Sequence, residues 1–371
     1  MKVLVSLGFY DASGEGRLIG IDFLTGRTEV LLSYVPPPSL RVNSRGFTGA
    51  SLSGDGSAVY AAGHAAVYRV STRSWQVDGV LHIPSFNDLH HVAIRDGRLY
   101  IANTGSDSVD VFSQDGRFIG SHMLVPPWVL AGKMRGRVPP ESVDVHLAGW
   151  EPAHCAGVLW YNTSADCGPA SPEDGYHTAA SQRASTPYWQ AKLPDRLHPN
   201  HTCPLPTRVL VTCLRDGSIR ELGSLRTVYR KAGSYPHDGV AVDGQFYFTT
   251  IDGKLWTLPL AASTFADDGT QSSGAELPLG CWDVFMLSNK YGWCRGLWID
   301  STSAGRTAVV GLTEVRAGRM PSYPWCERAP EGSQTGVVWM DLLSKKMLGW
   351  VDLSSIERHS KIYSVLPWTG A

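Results

Sequence analysis

The chain has no excess of either charge. Lys and Arg number 33 and Asp and Glu 34, a net of −1 over 371 residues, so it carries no electrostatic footprint for a polyanion and nucleic acid is not an expected partner. No apolar run approaches the roughly 18–20 residues that cross a bilayer. Met1–Gly8 runs into Phe9-Tyr10-Asp11 without a small-residue cleavage site and reads as a first strand rather than a leader, so a soluble, cytoplasmic protein without membrane partners is expected. The seven cysteines, at 155, 167, 203, 213, 281, 294 and 326, are odd in number and irregularly spaced, which argues against a complete disulfide framework. The sequence also lacks a Gly-x-Ser-x-Gly elbow, a Gly-rich phosphate loop, a His-Glu-x-x-His pair and paired Cys-x-x-Cys, so serine-hydrolase and nucleotide-binding chemistry are disfavoured.

Long stretches of helical period are absent too. Instead, 39 glycines and short β-branched or aromatic runs separated by Asp-Gly turns mark many short antiparallel strands. A unit recurs: apolar strand, Asp-Gly turn, strand ending in aromatics, third strand, turn. The best copy runs His90–Ile94, Asp96-Gly97, Leu99–Asn103, Val109–Phe112, Asp115-Gly116, Phe118–Gly120. A second runs His237–Val242, Asp243-Gly244, Phe246–Thr249, Asp252-Gly253, Leu255–Leu258. Weaker copies start near Phe47, His198 and Cys294. Repeats near 40 residues predict an all-β β-propeller of six blades, seven staying open because turn counting slips easily by one. The sixth blade combines Leu18–Asp22 and Thr28–Leu32 with Ile362–Leu366 from the other end, so the whole of 1–371 reads as one domain.

One stretch breaks the rhythm. Residues 126–194 are rich in Pro, Ala, Ser and Trp, with one strand candidate at Gly157–Tyr161, and read as a long insertion forming a lid or face loop packed by Trp128, Trp150, Trp160 and Trp189. A second irregular stretch spans Ala262–Tyr291. His154, Cys155 and Cys167 are a minor structural-zinc candidate, against the plainer reading of cysteine as a small buried apolar residue.

Inner strand starts of a propeller face a common channel, so matching positions in separate blades can converge. His90, His91, His198, His201 and His237 all stand at such starts. Neutral imidazole binds transition metals well, and three of them leave an open coordination position. The metal candidates are therefore His90, His198, His201 and His237, holding zinc, iron or copper with zinc favoured. The plainer reading makes each an ordinary hydrogen-bonding residue at a strand end. Arg295 is a candidate for orienting a carboxylate or phosphate, or else a structural ion pair. Asp238 is a candidate general base or a group holding a ligand histidine, or else a turn residue. Asn200 and His91 complete the substrate-binding candidates, with Asp238 and Arg295 as the catalytic ones.

The segments Leu89-His90-His91-Val92, Asp195 to Asn200, Pro236-His237 with Asp243-Gly244, Arg295-Gly296-Leu297, Ala308–Leu312 and Gly336–Leu342 together resemble a bacterial family of uncharacterised β-propeller proteins, from about Asp88 to the C-terminus. The resemblance implies His at 90, 198 and 237, Asn at 200 and Arg at 295; His91, His201 and the long insertion depart from it. More distantly the chain is similar to NHL-type propellers and to the zinc-dependent peptidylglycine amidating lyases, a likeness of fold.

These readings give a metal-dependent enzyme at the channel mouth, a lyase or hydrolase rather than an oxygenase, acting on a small polar or anionic molecule. The alternatives are a non-catalytic scaffold that binds a protein partner through 126–194, and a carbohydrate-binding propeller suggested by the 13 tryptophans.

Overall fold

A computed structural model describes residues 1–11, 13–38, 40–42, 45–83, 85–124, 196–224, 226–231, 233–260, 280–300, 302, 306–329, 332–354 and 359–368. The expected insertion at 126–194, with its tryptophans, the Gly157–Tyr161 strand and the His154, Cys155 and Cys167 candidate, lies outside the described residues.

Asp-Gly pairs build the hairpins. Asp96 and Gly97 have φ of 49° and 70°, and Asp243 and Gly244 have 49° and 73°. Two successive left-handed residues make the tight turn whose twist matches that of antiparallel strands, and Asp is among the few residues besides Gly that enter this region at low cost.

Six four-stranded antiparallel sheets result. They are β1–β3 (Lys2–Phe9, Gly16–Asp22, Arg27–Tyr34) with β24 (Ser360–Pro367); β4–β7 (Gly49–Leu52, Ala58–Ala62, Val67–Ser71, Gln76–Leu81); β8–β11 (Leu89–Arg95, Arg98–Asn103, Ser108–Ser113, Phe118–Met123); β12–β15 (Pro199–Pro204, Val209–Cys213, Ser218–Glu221, Thr227–Arg230); β16–β19 (Pro236–Val242, Gln245–Thr250, Lys254–Pro259, Gly280–Asp283); and β20–β23 (Trp293–Asp300, Thr307–Thr313, Gly336–Asp341, Lys346–Asp352). The fold is an all-β, six-bladed β-propeller. The last strand pairs with the first, as the sequence suggests, and the backbone N–H of Ser364 donates to Ser6 Oγ at 3.0 Å. That pairing covers an edge that both strands would otherwise expose.

The stretch 262–291 is less irregular than expected. Its described part supplies β19, the fourth strand of its blade, and a short helix α1 (Val284–Ser288) capped by the Asp283 side chain, which accepts from Met286 N–H at 3.1 Å. No described helix is long and apolar enough to cross a membrane. The described cysteines, 203, 213, 281, 294 and 326, are all free thiols.

The chain divides into two compact units, residues 1–7, 18–30 and 207–371, and residues 8–17 and 31–206. The first has a core around Tyr247, Leu255, Phe285, Cys294, Leu312 and Val338. The second packs Tyr60, Phe86, Leu89, Val92, Ile101 and Phe112. Threonine hydroxyls tie blade to blade inside each unit. Thr48 donates to the carbonyl of Leu89 and Thr104 to that of Pro199 in the second unit; Thr212 donates to His237 O at 2.7 Å in the first. Each bond lands on the opening residues of an inner strand, so these positions are fixed by side chains of the preceding blade.

Candidate functional site

A left-handed residue stands immediately before four of the inner strands: Asp88 (φ 53°), His198 (57°), Tyr235 (49°) and His359 (61°) precede β8, β12, β16 and β24. Counting two residues on from each aligns His90, Asn200, His237 and Lys361, all polar and all nearly inaccessible, at 5, 2, 3 and 6 % exposure. This register differs from the one expected from sequence. His198 matches Asp88, and Asn200 is the residue that matches His90 and His237. The cause is local. The ladder is interrupted between Leu89 and His91, between Pro236 and Gly239 and between Arg295 and Leu297, and such bulges re-aim side chains at strand ends.

In the first unit, His237 Nδ1 lies 2.9 Å from Asp238 Oδ2. A carboxylate only accepts, so Nδ1 carries the proton and the ring lone pair sits on Nε2. The same Oδ2 accepts the backbone N–H of Gly296 at 2.8 Å. Gly296 has φ 75°, and a Cβ there would meet Val365 Cγ2 at 2.9 Å; this turn requires glycine. Asp238 therefore joins His237 to the bulge that carries the neighbouring Arg295.

Arg295 forms no ion pair among the described residues. Its guanidinium carbon lies over the rings of Trp293 and Tyr363, 4.6 and 4.9 Å from their centroids, and its Nε is buried without a hydrogen bond among the described residues. Tyr323 packs edge-on against Trp293 at 5.0 Å. Aromatic rings attract and align the cation but cannot neutralise it. None of Trp293, Tyr323 or Tyr363 was singled out from sequence, because aromatic residues at strand ends look like core.

In the second unit, Asp88 collects cations and imidazoles. Arg45 pairs with its carboxylate at 2.7 Å, His90 Nε2 lies 3.3 Å away and His64 Nδ1 3.5 Å. Burial pushes Asp88 up, but the Arg45 charge and the imidazoles of His90 and His64 beside it hold its pKa well below the usual carboxylate range. Burial likewise dominates His90 and, against the opposing pull of Asp88, brings it down to about 3. His90 is thus neutral at pH 7; neither of its ring nitrogens has a hydrogen-bond partner among the described residues, nor has either amide atom of Asn200. The ring of His198 meets His90 edge-on, centroids 4.7 Å apart.

The neighbouring histidines do something else. His91 and His201 stack face to face at 3.7 Å and 26°, and His91 Nδ1 sits 3.3 Å from Thr202 Oγ1. His201, a metal candidate by sequence, is placed on the ring of His91, a substrate-binding candidate. Asp107 is a residue that sequence reasoning missed. Its carboxylate accepts three consecutive backbone N–H groups, from Arg196, Leu197 and His198, at 2.8–3.0 Å.

Among the described residues no group of three or more His, Cys, Asp or Glu side chains is arranged to hold a metal ion. No family model and no curated protein matches the chain. Solved structures do. A nidogen/laminin complex aligns over 98 % of this chain and 97 % of its own at 9 % identity and a TM-score of 0.53. A 6-phosphogluconolactonase-like protein of Bacteroides uniformis covers 98 % of both chains at 12 % identity with a TM-score of 0.46. A Cps50 (Swd1) β-propeller domain of Myceliophteria thermophila covers 94 % and 86 % at 8 % identity and 0.45. At these identities the likeness is one of fold.

Proposed function

We propose that this propeller is an enzyme acting on a small anionic molecule, a hydrolase or lyase in which Arg295 holds the anion and His237 moves the proton. The observation that carries the reading is the joined set in the first unit. An arginine with no carboxylate partner among the described residues is linked, through the Gly296 N–H, to the carboxylate that fixes the tautomer of a buried histidine. A guanidinium without an internal anion is matched to the paired oxygens of a carboxylate or phosphate. Neutral His237 accepts a proton at Nε2, and the imidazolium so formed is stabilised by Asp238, which acts as a positioning residue.

A second reading adds a divalent transition metal that activates water. It is favoured by the carboxylates beside the rings, for Asp238 Oδ2 lies 2.9 Å from His237 Nδ1 and Asp88 Oδ1 3.3 Å from His90 Nε2, as carboxylates stand behind metal-bound histidines.

Titration of the full-length protein with inorganic phosphate and with small mono- and dicarboxylates, followed by calorimetry, tests the first reading. Binding is expected for the wild type and lost in Arg295→Ala. Once a turned-over substrate is found, Arg295→Lys raises KM, while His237→Gln lowers kcat by about 10²–10⁴-fold. Anion binding that survives Arg295→Ala overturns the assignment.

A further inference from the structure

The polar cluster of the second unit is a site in its own right, made of residues that the anion reading does not use. Three of its side chains, His64, His90 and Asn200, are at least nine-tenths buried, and each has polar atoms without a hydrogen bond among the described residues. Leaving such an atom unmet is unfavourable unless a ligand meets it. The set is rich in acceptors. His90 Nε2 stands 3.3 Å from an Asp88 oxygen, neither ring nitrogen of His90 has a hydrogen bond among the described residues, and the Asn200 carbonyl oxygen is a further acceptor. The one full negative charge, on Asp88, is already matched by Arg45 at 2.7 Å. An anion finds little to bind here, whereas an electron-pair acceptor does.

The arrangement of the two rings narrows the choice. Two imidazoles bound to one ion through nitrogens at about 2.1 Å, at angles of 90–110°, have centroids roughly 4.5–5.5 Å apart. His90 and His198 stand at 4.7 Å with their planes at 75°. His198 is delivered there by Asp107, which fixes its backbone N–H at 3.0 Å, and His90 by the Asp88 carboxylate 3.3 Å from its Nε2.

We infer that a ring nitrogen of His90, a ring nitrogen of His198 and the Asn200 side-chain oxygen hold one divalent transition metal ion, zinc or a similar nitrogen-seeking cation. Asp88 and Arg45 form the supporting layer behind His90. Two imidazoles and an amide leave open coordination positions for water or substrate. This site deepens the metal reading above and is independent of the anion reading.

The test is metal binding by the chelator-treated full-length chain, titrated with Zn²⁺ and with Co²⁺, whose visible bands report nitrogen ligation. About one equivalent is expected to bind. His90→Gln and His198→Gln each lose it, Asp88→Asn weakens it by about 10–100-fold, and His201→Ala and Asp238→Asn keep it. Circular dichroism of each variant, together with the His90→Gln/His198→Gln double variant, separates loss of a ligand from loss of fold. No uptake by folded wild-type protein, or uptake retained in the folded double variant, overturns the assignment. Loss of turnover in Asp238→Asn with metal retained bears on the anion site alone.

Discussion

Asp107 holds His198 in place: Oδ1 of the buried aspartate accepts the His198 backbone N–H at 3.0 Å, and accepts that of Leu197 at the same distance. Oδ2 takes Arg196 N–H at 2.8 Å. Asp107 is itself left-handed, with φ 52°, a conformation that Asn tolerates and Ala does not. Asp107→Ala therefore loses three charge-assisted bonds and adds backbone strain, and is expected to cost at least about 3 kcal/mol. Asp107→Asn keeps an oxygen for Leu197 and His198 and turns an amide against Arg196, so it costs less than Ala. Urea unfolding of both variants checks the order, and equal losses would refute it.

The same residue is also bonded on the other side of residues 125–195, for Leu124 N–H donates to Asp107 O at 2.9 Å. The chain thus leaves and returns on one residue. Closing a shorter loop between ends already held together costs less chain entropy. Replacing 125–195 by a short Gly/Ser linker is expected to give a soluble propeller that melts at the wild-type temperature or above. A thermal melt that loses its cooperative transition would count against this.

Much of the architecture is legible in the sequence because Asp-Gly turns report backbone geometry directly: Asp96-Gly97 and Asp243-Gly244 fall where strands reverse. The site was less legible. His90 and His237 were picked out by position and do match, but His198 was aligned with them by its proximity to a strand, whereas its left-handed φ puts it level with Asp88. Histidine and aspartate both enter that region readily, so the letter alone cannot separate a turn residue from one on the strand. Asp88 and Asp107 escaped notice for a different reason. Their partners are backbone amides, imidazoles and an arginine from distant parts of the chain, and no local spacing encodes them.

Asp110 on β10 is a buried carboxylate held by two neutral donors: Asn103 Nδ2 donates to Oδ2 at 2.8 Å and Ser121 Oγ to Oδ1. Burial outweighs these two bonds and raises its pKa from 3.8 to about 6. The folded state then binds the proton more tightly than the unfolded chain, so this group's contribution to stability is full below about pH 4 and is lost as pH rises through 6. The loss amounts to about 3 kcal/mol. Asp110→Asn keeps one acceptor and never ionises; it is expected to remove that decline and to leave the variant at least as stable as wild type at pH 7. Urea midpoints measured from pH 4 to 7 decide it, and an unaltered slope in the variant would place the titrating group elsewhere.

Asp238 offers the sharpest separation of geometry from charge. His237 Nδ1–H and Gly296 N–H both meet the same oxygen, Oδ2. Asp238→Asn can therefore satisfy both donors with its carbonyl oxygen and keep the proton of His237 on Nδ1, while the negative charge that stabilises the imidazolium is gone. Asp238→Ala loses oxygen and charge together and frees the Gly296 bulge, and with it the aim of Arg295. In Asn the expected result is a fall in kcat with KM and anion affinity unchanged; in Ala both parameters worsen. Nitrogen NMR of the imidazole checks the tautomer independently of turnover. Should Asp238→Asn move the His237 proton to Nε2, the carboxylate sets the tautomer through its charge, and the shared-oxygen argument fails.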